Sequence, residues 1–435
     1  MASARTTAGF VLSLGSLVLL SGCGGGEKTS SPAGSANSNA KAARPDLELE
    51  SAESADGNTT PPAASIGSVP KVELKEGTPE WYLKQIQNVR GEPMYQANGE
   101  TPTLEELRNA RSIKNEKIIE LATQIITLTH DRAEQAEYFN VAIQEFMEAR
   151  LQNALQGDAE DIEALYSDAG SLQQRNPESE AAMHATYALA RFAHTNAKRY
   201  ASQDPRWIIE FSKQARLLAS NFPREEHKVL PLLSSAAMTC ELHGDLEEAK
   251  ACYALLAEKF PETQQGRQSV GVLRRMQLEG KPLEFAGPTP DGGFISIDDF
   301  KNKVVLIVFW SSESQEFSEQ LPVIKEAYEK YQKFGFEVVG VCMDEDEPAL
   351  NAWLEEHPLP WKQIFFAEPE KRRWENPVAQ YYGIREIPTM WLVDHKGVVQ
   401  HAKIAAEQLD SPLRDLLLAL REDLKTVSTS ADVNP

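Results

Sequence analysis

The side chains best suited to chemistry in this 435-residue chain are its four cysteines, Cys23, Cys240, Cys252 and Cys342. A cysteine attacks as the thiolate, which at neutral pH needs electropositive surroundings. Cys342 is followed by Asp344, Glu345 and Asp346, which supply the reverse. Cys240 and Cys252 fall within a helical pattern, where a small apolar residue suits a helix–helix seam; a bridge between them stays open. Ser311, Ser312 and Ser314 cluster after an apolar run, but no histidine lies in that loop. A serine alkoxide is inaccessible at neutral pH without a general base. The eight histidines show neither H-x-x-x-H nor Cys/His ligand spacing, so no metal is expected. No glycine-rich phosphate loop is present, and no cofactor is expected. The acidic run Asp344–Glu347 and the pair Glu368 and Glu370 read as solvated loops. Ser312-x-x-Gln315 reads as a helix capping box.

These residues need elements to hold them, and the first such element is a processing signal. Arg5 is the only charge before Glu27, and an apolar run from Gly9 to Leu20 follows it. That run is too short to span a bilayer, so residues 1–22 read as a signal peptide. It ends in Leu20-Ser21-Gly22-Cys23, which resembles the bacterial lipobox, in which the cysteine is acylated. The expectation is a chain beginning at lipidated Cys23, held to a membrane and facing the periplasm of a bacterial envelope. Gly24 in place of aspartate favours the outer membrane. Residues 23–75 are rich in Gly, Ser, Ala, Asn and Pro, with few large apolar side chains, and read as a disordered tether. The formal net charge of −21 argues against nucleic acid, whose phosphates need a basic face.

Residues 76–279 carry apolar residues at i, i+3, i+4 and i+7, the signature of amphipathic helices. Helix stops recur at Asn176-Pro177, Phe222-Pro223 and Phe260-Pro261. The run His243-Gly244-Asp245-Leu246-Glu247-Glu248-Ala249, then Tyr253, Leu256 and Pro261, resembles the second half of a tetratricopeptide repeat. Gly244 permits the turn, Asp245 can cap the next helix and Pro261 ends the hairpin. Stacked helical hairpins and a non-repetitive bundle both satisfy this pattern.

Beyond Gly280 the period changes. Pro290-Asp291-Gly292-Gly293 signals a turn, and Val304–Phe309 is an apolar, β-branched run of the kind buried in a parallel sheet. A helix over 315–334, a strand over 336–341, helices over 348–356 and 374–382, a hairpin over 389–401 and a helix over 409–424 follow. Such alternation gives an α/β domain with a mixed sheet over 280–424, and 425–435 reads as a flexible tail. The aromatic-rich segment 361–374 reads as a packed insertion or an interaction surface.

Several motifs in this order resemble the TlpA/ResA branch of the thioredoxin-like superfamily, close to the AhpC/TSA (redoxin) group. They are Leu283-x-Phe285 with Asp291-Gly292, Phe300–Lys303, Phe309-Trp310, Gly335–Val341 with Asp344, Tyr382-Gly383-Ile384 and Ile387-Pro388-Thr389. The resemblance implies a thiol-disulfide oxidoreductase fold with a Cys-x-x-Cys helix start and a cis-proline loop beside it. Here the two thiol positions read Ser314 and Phe317, and the acid that handles protons in a Glu-x-Pro reads Gln320 before Leu321-Pro322. Redox chemistry at that site is therefore not expected. The resemblance implies instead a groove for protein or peptide at Trp310, Ser314, Pro388 and Thr389, and a binding or scaffolding role. The alternative is a thiol-disulfide or peroxide oxidoreductase that works through Cys342 or a partner's thiols.

Overall fold

A computed structural model describes residues 74–93 and 101–431, with side chains to 425. The expected signal peptide, the lipidated Cys23 and nearly all of the tether lie outside them. Among the described residues no helix is long and apolar enough to cross a membrane.

The first part is helical throughout: α1 (Pro79–Gly91), α2 (Leu104–Thr129), α3 (Ala136–Ala154), α4 (Ala159–Arg175), α5 (Glu180–Tyr200), α6 (Arg206–Asn221), α7 (Glu226–Leu242), α8 (Leu246–Lys259) and α9 (Gln264–Arg275). Local chemistry sets their ends. Thr103 and Glu106 form a reciprocal capping box at the start of α2, and the Ser179 side chain caps α5. Gly244, at φ 83°, makes the α7–α8 turn in the left-handed region. Asp245 stands at the N-cap of α8, but its side chain makes no capping hydrogen bond. Each helix packs chiefly on its sequence neighbours, the short-range pattern of helical hairpins. Their seams are lined by small residues, with Ala215, Ala236, Ala237, Ala249, Cys240 and Cys252 all buried in one cluster.

The second part holds a five-stranded mixed sheet in the order β5-β4-β3-β6-β7: β5 (Lys362–Ile364), β4 (Phe336–Cys342), β3 (Val304–Trp310), β6 (Thr389–Val393) and β7 (Val399–His401). β3 runs parallel to β4 and antiparallel to β6. A small hairpin, β1 (Ala286–Pro288) with β2 (Phe294–Ser296), precedes it. Four helices complete this part: α10 (Gln315–Tyr331), α11 (Glu347–Glu356), α12 (Pro377–Tyr381) and α13 (Asp410–Ala431). Every residue of β3 is buried, because alternate side chains feed two apolar layers. Leu306, Val308 and Trp310 pack with Phe317, Leu321 and Leu413 on one face. Val305, Ile307 and Phe309 pack with Phe285, Tyr382 and Trp391 on the other.

Three local expectations are corrected. The segment after Trp361 contains the edge strand β5, whose Lys-Gln-Ile sequence carries no strand signal. The helix expected over 374–382 is reduced to Pro377–Tyr381, after two short 3-10 turns. The last helix continues to Ala431 rather than giving way to a tail at 425.

The two parts meet without side chains at one point. A Cβ on Gly271 of α9 would lie 2.5 Å from the Gln380 carbonyl oxygen and 2.7 Å from the Gly383 nitrogen. A Cβ on Gly383, at φ 58°, would likewise lie 2.5 Å from the Val272 nitrogen. The chain then runs on beside β7, where Gly280 N–H donates to the Val399 carbonyl at 2.8 Å and Leu283 N–H to Gly397 at 2.9 Å.

Candidate functional site

The turn after β3 is where the sequence motifs converge, and the sheet register brings its partners to it. Trp310 lies beside Cys342 across the β3–β4 pair, and Phe309 faces Thr389 across the β3–β6 pair. Residues 311–317, residue 344 and the loop before β6 therefore meet at one sheet end, the edge where α/β sites form.

Ser314 is the N-cap of α10, its hydroxyl oxygen accepting from the Phe317 N–H at 3.2 Å. This corrects the capping box expected at Ser312. No histidine or carboxylate is hydrogen-bonded to the Ser314 hydroxyl among the described residues. Phe317 is fully buried, stacked on Trp310 with ring centroids 4.8 Å apart and an interplanar angle of 30°. Trp353 of α11 covers the same pair. Trp310 is itself 1 % exposed, with its indole N–H donating to Gln363 Oε1 at 2.9 Å. It belongs to the core under the site and does not line a groove, which corrects that assignment. Gln320 donates its amide to Glu316 Oε1 at 3.1 Å and carries no titratable proton.

The acid run after β4 is not a solvated loop at its first residue. Asp344 is buried and gathers the turn around its carboxylate. Its Oδ1 accepts from the Ser311 hydroxyl at 2.9 Å and the Ser312 hydroxyl at 2.7 Å; the Ser312 N–H lies 3.1 and 3.0 Å from its two oxygens. Its Oδ2 accepts from the Cys342 thiol at 3.1 Å. Asp346 caps α11 through the Ala349 N–H at 3.0 Å. The Asp344 clamp was missed by the sequence reading. The signal that could have found it is the β3–β4 pairing, which sets a Ser-Ser pair beside an aspartate.

Cys342 is buried, and burial first, then the Asp344 carboxylate, pushes its thiol well above the ordinary cysteine range. It is held protonated, the opposite of what nucleophilic attack needs. The helical-part thiols are no more reactive. Burial pushes Cys240 up to about 12, and Cys252, also raised, lies 3.3 Å from the Ser212 hydroxyl. Both are free and packed in the hairpin seam.

The segment 365–376 is pinned over this edge. Arg372 is buried against the Phe365 ring and donates to the carbonyls of Glu345, Phe366 and Ala367 and to the Glu347 carboxylate. Arg373, left-handed at φ 52°, reaches outward to Glu313 at 3.3 Å and Glu345 at 3.1 Å.

On the far side of the turn, the Ile387–Pro388 bond is cis. Ile387, Pro388 and Thr389 are half-buried. The Thr389 hydroxyl donates to the Glu386 carbonyl at 2.7 Å. Among the described residues the Ile387 N–H and C=O make no hydrogen bond. The same loop also reaches the helical part. Arg385 donates to the Tyr253 hydroxyl at 2.7 Å and lies over its ring, and Tyr253 donates to Glu241 at 2.7 Å. Arg275 of α9 closes the network onto Glu241 at 2.6 Å. Beside it, Arg274 stacks on Tyr381 and donates to its carbonyl.

Residues 280–402 match the AhpC/TSA family. The thiol-disulfide oxidoreductase ResA of Bacillus thuringiensis is 26% identical over 144 residues, 33% of this chain and 78% of its own. A chloroplastic peroxiredoxin Q of Triticum aestivum is 26% identical over 188 residues, 43% of this chain and 82% of its own. Among solved structures, the C-terminal domain of a putative thiol-disulfide oxidoreductase from Bacteroides thetaiotaomicron is 26% identical. It covers 32% of this chain and 97% of its own, with a TM-score of 0.29.

Proposed function

The second part of the chain is a TlpA/ResA-like, thioredoxin-type domain of the AhpC/TSA family, and on that premise we propose that it binds a protein or peptide without exchanging disulfides. The observation that carries this reading is the use made of the two thiol positions. Ser314 caps a helix and Phe317 fills the core, so both side chains are committed to structure. Gln320 offers no proton relay beside them. What persists is the cis-proline loop, with the backbone groups of Ile387 free for an extended segment in the manner of edge recognition. With Trp310 buried, the groove is reduced to Ser314, Ile387, Pro388 and Thr389. The helical hairpins add a second surface suited to peptides. The lipobox-like Cys23 supports anchoring to a bacterial envelope membrane, the outer one by the residue after it, with the folded part in the periplasm.

The names of the relatives favour a second reading, an oxidoreductase acting through Cys342 or a partner's thiols. The buried, protonated state of Cys342 weighs against it. A trap separates the two. Ser314→Cys sets a thiol at a helix N-terminus, where thiolate is favoured. In an envelope extract it is expected to capture a partner as a mixed disulfide, while Cys342 in the parent chain captures none. Capture by the parent chain that Cys342→Ser removes would reverse the assignment. A Ser314→Cys chain that reacts with small disulfides yet traps no protein would leave the groove without a partner and count against the binding role.

A further inference from the structure

The C-terminal helix carries a surface that the cis-proline edge does not use. Along α13, Arg414, Leu418, Arg421 and Lys425 recur at steps of four, three and four, so they form one stripe. Leu417 and Leu420 on the inner side belong to the core and, with Tyr331, floor a groove against the end of α10. The exposed rim is apolar: Phe334 is 68% exposed, Leu418 58% and Leu424 47%. Asp415 is the one acid among the groove-lining residues, beside three bases. In a chain with 65 acids to 44 bases that balance is inverted. Arg421 makes no hydrogen bond or ion pair among the described residues, and Arg414 meets Asp410 only at 3.9 Å.

We infer that this groove docks an amphipathic helix with acidic flanks from a partner protein. The stripe from Arg414 to Lys425 is about 16 Å long at 1.5 Å per residue, which matches about three turns of a partner helix. Helices on both sides of the groove have satisfied backbones, so an added strand would gain no ladder. A helix brings its own hydrogen bonds and lays an apolar ridge against the leucines. Acids on its flanks meet Arg414 and Arg421. A single helix can set its acids against Arg414 and Arg421 and away from Glu422, which a continuous anionic bilayer surface cannot do. A second copy is disfavoured because each copy carries −21.

The test uses the full chain and two designed, fluorescein-labelled peptides of four helical turns. Both carry leucine at i, i+3 and i+4 spacing; one has glutamate flanks and its twin has lysine. By fluorescence anisotropy the glutamate peptide is expected to bind at least tenfold more tightly than its twin. Arg421→Glu and Leu418→Asp should each weaken it at least tenfold, and Arg421→Gln by several-fold, with unchanged circular-dichroism melting. Equal binding of the two peptides, or indifference to Arg421→Glu, would overturn the proposal. So would sedimentation in which Leu418→Asp dissolves a dimer, which would assign the groove to a second copy. Binding to phosphatidylglycerol vesicles that alone responds to Arg421→Glu would assign it to lipid.

Discussion

The turn after β3 and the loop before β6 are neighbours in the sheet, since Phe309 faces Thr389, yet they use their polar groups in opposite ways. In the turn, polar groups are satisfied from within: Asp344 takes up Ser311, Ser312 and the Cys342 thiol, and Ser314 takes up the Phe317 N–H. In the loop, Ile387 leaves its backbone groups open, while Arg385 reaches out to Tyr253 of the helical part. The resemblance to thioredoxin-like proteins implies a use for both, one to react and one to hold. Here the reacting half is packed shut and the holding half faces outward. On the reading proposed above, recognition is what that contrast leaves, and it can be attacked from either side.

The largest effect is expected at the closed half. Phe317→Ala removes a fully buried ring that packs on Trp310 and Trp353, so denaturant unfolding should show a loss of about 3 to 5 kcal/mol. A loss under about 1 kcal/mol would mean that the ring is not a core element and that the turn is still free to work. Next comes the clamp. Asp344→Asn keeps the shape but gives up a charged acceptor for several donors, with an expected cost of about 2 kcal/mol. It should also make Cys342 more reactive to a thiol reagent, because the bond holding its proton is lost. Unchanged labelling would separate the clamp from the thiol's inertness.

At the open half, Gly271→Ala drives a methyl into the Gln380 carbonyl, costing about 1 to 3 kcal/mol of overpacking. Hydrogen exchange should rise at 271–283 and 380–386 and leave 304–317 untouched. An even rise across both halves would show that they are one cooperative unit. The smallest effect is a pH dependence. Burial would raise the Glu241 carboxyl, but Arg275 and the donated bond of Tyr253 outweigh it and hold it below the ordinary 4.5. Its stabilising contribution is therefore full above about pH 4.5 and lost as pH falls through the lower folded value. The melting temperature of Glu241→Gln should fall below that of the parent at pH 7, by an amount matching about 1 kcal/mol. The two should converge as pH falls through that lower folded value, and a constant gap would show that the network owes nothing to that charge.

Much of this architecture was legible in the chain because its signals are large. Val304–Trp310 is too apolar to be anything but a central strand, and Gly244 and Pro261 bracket a hairpin by sterics alone. The cis bond stands at Ile387-Pro388, where the motif put the loop. Three of the misreadings share a cause: each depended on contact between distant segments. β5 is three residues at an edge, held by its register with Val339–Val341 rather than by its own sequence. Trp310 reads as exposed beside a polar turn, until α11 brings Trp353 over it. Asp344 reads as one acid of a run, until the parallel pairing of β3 and β4 sets it under two serines. Boundary effects explain the capping residue, since Ser312 and Ser314 satisfy similar local rules and only the Asp344 clamp decides between them.

The claim that the reacting half is closed is tested most directly by insulin reduction with the full chain and excess dithiothreitol, compared with its Cys342→Ser variant. Both chains are expected to give the uncatalysed rate of precipitation. A rate above that background which Cys342→Ser abolishes would contradict the account and return this domain to thiol–disulfide exchange.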